Sequence, residues 1–569
     1  MLLNPPSRGT SRAFMRHSVL ALAAALLMLL AGASARAEFK LTIDFKDGDK
    51  IHDVTKVVAH AESSDGIDKV EFFVDDQLKA TANGIPYTYL WDTIADKEGQ
   101  HTLALTAYDA NGQTKKVTVA VEIDNELGLG ADALAKTAHT ALLAGDKEKA
   151  GAYARRSMKA DASCLLAARV VAALAAKDFD WDKAVATLEK GAGYDSDPDS
   201  ITEMAGYKMH RALRPENAAS FVSLLKSVQE LRQTGADRNV ERVKAKEAAN
   251  HEAVGDTLIA AGHYKAAQLE YQKAGDGMPV TTANRVALAY ALQDNIDLAI
   301  AFVRPMLQDK KADRVTRAIY GLALLRKQKF VEARAIVEPD LASGYPAANI
   351  IAAYADVVDG NTVKAVAEAQ AAVAGAPKAA DARYVNSMII RNLSDSETEL
   401  VQVVNLAPFQ SGPYIDYAAR IALQKNADRV EDALKLIEMV LSREPENLGA
   451  KLAKVLILTS KNRDAEAEPI LDYIARHSTA PDVEMIAAIF LTHKSKVGQA
   501  QQYWDAARRQ DPKHFDFLVV PAALVYLQDW ERKTHYRSGF FLTFESLFPS
   551  KSADKAGGGV EADAGQQKL

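Results

Sequence analysis

The side chains able to do chemistry are scattered along this chain. His101, His139, His210, His251, His263, His477, His493, His514 and His535 lie far apart, with no H-E-x-x-H motif and no His or Cys pair at zinc spacing. No G-x-S-x-G elbow or G-K-[ST] phosphate loop occurs, and the glycine-rich "KAGGGVE" neither follows a strand nor opens a helix. The single cysteine, Cys164, cannot form an internal disulfide; its apolar helical setting, "ASCLLAARVVAALAA", marks a buried small hydrophobe. The expectation is therefore a protein with no catalytic residues, no metal and no cofactor. An enzyme with a site assembled from distant residues stays open as an alternative, because catalytic groups need not be contiguous.

The elements that position these residues are bounded by composition. The chain has 569 residues, 48% hydrophobic, 25% charged and 7% aromatic, too long for one compact core. A net charge of -6 and a pI near 6.1 give no basic surface for nucleic acid. Residues 1–37 read as a signal peptide: Arg8, Arg12 and Arg16 precede the apolar run Val19 to Gly32, and Ala35-Arg36-Ala37 places small residues around a cleavage point after Ala37. A start at Met15 also leaves a compact signal peptide. The run is short for a membrane span, and no cysteine follows it for lipid attachment. Export to the periplasm is expected, with secretion or the cell surface as the alternative.

Residues 38–125 alternate with period two. Val70, Phe72 and Val74, then Leu103, Leu105 and Ala107, then Val117, Val119, Val121 and Ile123 each mark one buried face, and "KDGD", "SSDG", "NGIP" and "DANG" supply turns. About seven short strands form a β-sandwich. The run "DGIDKVEFFVDDQLKATANGIPYTYLWDT" followed by "EGQHTLALTAYDANGQ" resembles the bacterial immunoglobulin-like domains of exported proteins. That resemblance implies a spacer or adhesion module, with Trp91 a candidate sugar platform and Asp65, Asp109 and Asn111 candidate calcium ligands. Against these stand the commoner roles of a core tryptophan and of turn-forming carboxylates without dense calcium-loop spacing.

From 127 to 549 the period is helical, with breaks every 15 to 20 residues. "GHYKAAQLEYQKAGDGMP", with Gly255 and Leu258 upstream, resembles the tetratricopeptide repeat, 34 residues forming two antiparallel helices. Small residues let the two helices approach; Tyr264 and Tyr271 fill the space toward the next pair. Markers at Ala150, Ala184, Ala218, Ala267, Ala299, Ala333, Ala365, Ala433, Ala467 and Ala500 are spaced 34, 34, 49, 32, 34, 32, 68, 34 and 33 residues apart. The 68 predicts a degenerate repeat within 376–410, and the 49 predicts an extra helix near "VERVKAKEAANHEAVGD", within a second irregular stretch at 201–250. The fold expected is multi-domain: an all-β immunoglobulin-like sandwich followed by an all-α superhelical solenoid of nine to eleven such repeats.

Residues 550–569 read as a disordered tail, and "YRSGFFLTFESLFPS" before it as a cap on the last repeat, or else a docking segment for a partner or membrane surface. The resemblance implies that first helices line a concave groove for protein segments, here Glu252, Asp256, Ile259, Asn284, Leu288, Leu322, Leu325, Ile350 and Tyr354. The lysines and asparagines of the repeat family's carboxylate clamp are missing except for Asn284, so an amphipathic or extended apolar segment fits better, or a groove partly closed by the chain itself. The function expected is a non-catalytic scaffold or adaptor of the bacterial envelope whose partner is a protein or peptide segment. The rival is a glycan-binding or adhesion protein that uses the sandwich on cell-wall glycan.

Overall fold

The computed structural model describes residues 39–549 apart from 274, 276, 277, 310, 311, 391, 425–428, 479, 513, 514, 516–519, 524 and 528–539. The signal sequence, the tail from 550, His514 and His535 lie outside the described residues. The chain divides into two compact units, 1–192 and 193–569, so the division falls inside the helical region.

The first unit begins with eight strands: β1 (Lys40–Ile43), β2 (Asp49–Ile51), β3 (Val54–Glu62), β4 (Ile67–Val74), β5 (Gln77–Ala82), β6 (Tyr87–Asp92), β7 (Gly99–Asp109) and β8 (Thr114–Ile123). They form a three-stranded sheet, β1-β3-β6, and a five-stranded sheet, β2-β8-β7-β4-β5. Alternation in the sequence becomes register: Val70, Phe72 and Val74 stand opposite Ala107, Leu105 and Leu103. Leu105 and Leu103 in turn face Val117 and Val119. These side chains and Trp91, 1% exposed, make the core between the sheets.

Four helices complete this unit: α1 (Ala131–Leu143), α2 (Lys147–Ala160), α3 (Leu165–Lys177) and α4 (Trp181–Leu188). Arg156 of α2 fastens them to the sandwich. Its side chain, 4% exposed, grips Asp53 with two nitrogens, one at 2.7 Å, and donates to Glu126 at 2.8 Å. Burial pushes the Asp53 carboxyl up, but the hydrogen bond and charge of Arg156 outweigh this and hold it below its usual value. Cys164 is buried at the start of α3 beside Ala135 and Ala167.

The second unit continues in pairs: α5 (Pro198–Ala212) with α6 (Phe221–Glu247), α7 (His251–Ala260) with α8 (Tyr264–Gln272), α9 (Val280–Leu292) with α10 (Ile296–Gln308), α11 (Arg314–Arg326) with α12 (Phe330–Leu341), and α13 (Pro346–Val358) with α14 (Thr362–Gly375). Then come α15 (Ala380–Ile389) with α16 (Leu393–Leu406), α17 (Ser411–Leu423) with α18 (Val430–Arg443), α19 (Leu448–Ser460) with α20 (Asp464–His477), and α21 (Pro481–His493) with α22 (Val497–Gln510). A last helical turn, α23, spans Phe544–Leu547. Among the described residues the solenoid thus has eleven pairs.

The repeat has a physical signature in each second helix. Ala150, Ala184, Ala267, Ala299, Ala333, Ala365, Ala433, Ala467 and Ala500 are each the fourth residue of theirs and at most 1% exposed. Two positions before the same helices the chain turns through the left-handed region, at Gly145, Phe179, Gly262, Asp294, Gln328, Gly360, Asn462 and Ser495. The elbow suits glycine, yet most of these are larger residues held there by the packed helices. Gly255 serves the helix contact itself: a Cβ there would lie 2.2 Å from the Tyr271 ring, whose hydroxyl donates to Asp256 at 2.7 Å.

Two expectations about the irregular stretches change. The degenerate repeat is an ordinary pair, α15 and α16, with Ser396 in the alanine's place, buried and donating to the Ser387 carbonyl at 2.9 Å. No separate helix fills the 49-residue interval; the surplus lengthens α6 to 27 residues, and Ala218 sits in a 3-10 turn before it. The lengthened α6 reaches α16–α18: Phe221 lies 6.5 Å from Tyr417, and Lys435 donates to Ser223 at 3.2 Å.

Candidate functional site

The first helices of four consecutive pairs, α9, α11, α13 and α15, share a concave face, and the chain's own residues 540–549 lie in it. This corrects the expectation that the aromatic stretch caps the last repeat. The reason is in the contacts. Arg326, at the end of α11, donates its Nε to the Phe540 carbonyl at 2.8 Å, and its Nη2 reaches the same oxygen. Its Nη1 goes to Asp294 at 3.1 Å. The Phe540 ring packs on Tyr354 with centroids 4.3 Å apart, and Phe541 stacks on Tyr384 at 5.6 Å.

Asp381, in the first turn of α15, is fully buried and reads the next residues. It accepts from the Thr543 amide at 2.8 Å, the Thr543 hydroxyl at 2.9 Å and the Ser546 hydroxyl at 2.5 Å, besides the Ala382 amide at 3.1 Å. The carboxylate therefore caps α23, with Thr543 and Ser546 bracketing the turn. Burial pushes the Asp381 carboxyl up, and the hydrogen bonds from Ser546, Thr543 and Ala382 only partly offset it. Tyr345 then donates to the Leu547 carbonyl at 2.9 Å, and the Arg285 guanidinium lies 5.3 Å over the Phe548 ring at the edge. Phe540, Phe541, Leu542 and Leu547 are buried as thoroughly as the helix core.

A cavity of about 870 Å³ adjoins this groove at Arg326, lined also by the Gly262–Tyr264 elbow, Asp294, Arg443 and Glu446. Its far wall comes close enough for Gln410 to donate to the Tyr264 hydroxyl at 2.7 Å, and a Cβ on Gly262 would lie 2.9 Å from that of Phe409.

Of the residues expected to line the groove, Tyr354 touches the segment. Leu288, Leu322, Leu325 and Ile350 are buried in the core between helices, and Ile259 is half-buried. The polar ones join neighbouring first helices: Glu252 accepts from Thr282, Asp256 from Arg285 at 2.8 Å, and Asn284 from Thr316 at 2.9 Å. Sequence reasoning missed Arg326, Tyr345, Asp381 and Tyr384. The aromatic run at 540–548 was a visible signal, but its destination lies 162 to 214 residues away in the chain.

In the sandwich, Trp91 faces the core and donates its indole N–H to Asp96 at 2.7 Å, so it offers no sugar platform. Asp109 accepts from the Asn111 and Gln113 amides at 3.0 and 2.7 Å, as a turn former does; Asp65 sits in an exposed turn. Among the described residues no cluster of His, Cys, Asp and Glu converges as metal ligands, and no helix is long and apolar enough to cross a membrane.

These features define a class: an immunoglobulin-like β-sandwich joined to a tetratricopeptide-like helical solenoid. Residues 46–105 match the family model of the bacterial Ig domain. Among solved structures, the fibronectin(III)-like modules of CbhA from Clostridium thermocellum are similar at 23% identity and a TM-score of 0.14, covering 16% of this chain and 48% of theirs. This chain thus spans about half the length of that structure. The APC/C hetero-tetramer Cut9-Hcn1 is similar at 16% identity and a TM-score of 0.37, covering 67% of this chain and 79% of that one. Human IFIT1, a dimer with PPP-AAAA, is similar at 12% identity and 0.31, covering 60% and 90%. No curated protein matches the sequence.

Proposed function

We propose that this chain is a non-catalytic scaffold or adaptor of the bacterial envelope, exported to the periplasm, which binds a segment of a partner protein along its solenoid. One observation carries the reading: the concave face of α9, α11, α13 and α15 holds an extended segment through two carbonyl contacts, two aromatic stacks and a buried carboxylate. That is how a groove recognises a peptide. The bacterial Ig domain and the export-like leader support the compartment.

The test is a photo-crosslinking amino acid in place of Phe548, at the groove's edge, in the full chain in living cells. A cross-link to an envelope protein is expected. Failure to capture any protein, together with retention of the full chain on purified cell-wall glycan, would instead support the adhesion reading.

A further inference from the structure

Resting on the scaffold reading, we propose that the groove is a receptor for peptides of one pattern. The pattern is two adjacent aromatic residues, then a single helical turn bracketed by hydroxyl side chains; residues 540–549 are a tethered copy of that ligand. The contacts divide into two kinds. Arg326 on the Phe540 carbonyl, Tyr345 on the Leu547 carbonyl and Asp381 on the Thr543 amide touch backbone, so they hold any chain in register. Tyr354 and Tyr384 against Phe540 and Phe541, and Asp381 against the Thr543 and Ser546 hydroxyls, touch side chains and so select the sequence.

Asp381 shows that the site is built for an occupant. It is fully buried, and apart from the Ala382 amide all its donors come from the segment. With the groove empty, those bonds would have to be replaced by water or by another peptide's donors. Arg326 is in the same position, with two of its three contacts on one carbonyl of the segment. A tethered ligand competes at an effective concentration on the order of millimolar, so the groove is closed to weak ligands and opens to a partner segment that repeats the pattern.

The experiment uses the full chain and a fluorescent peptide of residues 538–550, SGFFLTFESLFPS. In the double variant Phe540→Ala with Phe541→Ala, anisotropy should show the peptide binding at least about 30-fold more tightly than to the unaltered chain, because the tethered competitor is weakened. The same peptide with alanine at Thr543 and Ser546 should bind the variant roughly tenfold more weakly. Should the double variant unfold, hydrogen exchange of the unaltered chain decides: amides of 540–549 should open faster than those of α13 and α15. Exchange of 540–549 only together with global unfolding would make the segment a permanent core strand and overturn the proposal, as would a folded variant that ignores the peptide. Peptide binding without any cross-linked envelope protein would keep the receptor and sink the scaffold; a cross-linked partner without peptide binding would do the reverse.

Discussion

Arg156 and Asp381 are both charged side chains sealed from water, and each joins stretches of sequence 103 and 162 residues apart, respectively. They do so with opposite electrostatics. Arg156 meets two carboxylates, Asp53 and Glu126, and holds the Asp53 carboxyl below its usual value. Asp381 meets only amides and hydroxyls, and its carboxyl stays above its usual value. The first charge is compensated by charge, which suits a permanent join between a sandwich and a helix pair. The second keeps part of its desolvation cost in the docked state, so the segment it holds is less firmly committed.

The largest expected effect tests the permanent join. Arg156→Met should destabilise the attachment of α1 and α2 to the sandwich by about 3 kcal/mol, since Asp53 is left three-quarters buried without its cation. Hydrogen exchange of residues 131–160 should rise while the second unit is unchanged. Unaltered protection there would show that apolar packing alone makes the join. Next comes Asp381→Asn, which keeps one acceptor oxygen but loses the charge. It should cost the docked segment about 1.5 kcal/mol, seen as a roughly tenfold faster exchange of residues 540–549. An equal acceleration throughout α13 and α15 would contradict a separable segment.

How much of this was legible in the sequence follows the range of each contact. The strand faces could be read because Val70, Phe72 and Val74 need only a two-residue period, and the repeat because Ala267 and its equivalents recur at one helix-pair interval. The pair α15–α16 was blurred because Ser396, not alanine, fills the close-contact position, and its hydroxyl finds a local carbonyl that no hydrophobic pattern reveals. The lengthened α6 was misread as an extra helix because interval counting cannot tell a longer helix from an added one. The groove's occupant was out of reach: Phe540 and Phe541 announce an apolar destination, but Tyr354, Tyr384 and Arg326 become that destination only once the solenoid has curved. Four groove candidates, Leu288, Leu322, Leu325 and Ile350, sit in the core because an apolar first helix buries several faces, against its own pair, the next pair and the occupant.

The smallest effect separates the two charges by pH. Asp53 has its native pKa lowered, so its contribution is complete above the ordinary carboxylate value of about 3.9 and is lost as pH falls through the lower native value. Asp381 has its native pKa raised, so its contribution is complete below that ordinary value and is lost as pH rises through the higher native one. If release of the segment returns Asp381 to water, acidification from about pH 7 toward pH 4 favours docking by up to about 1 kcal/mol. Protection of residues 540–549, corrected for intrinsic exchange, should therefore increase over that range while protection of 131–160 stays level. Only below the ordinary carboxylate range should the Arg156 join weaken. If both regions lose protection together on mild acidification, the two buried charges do not differ in the way their partners imply, and the segment is held by its phenylalanines alone.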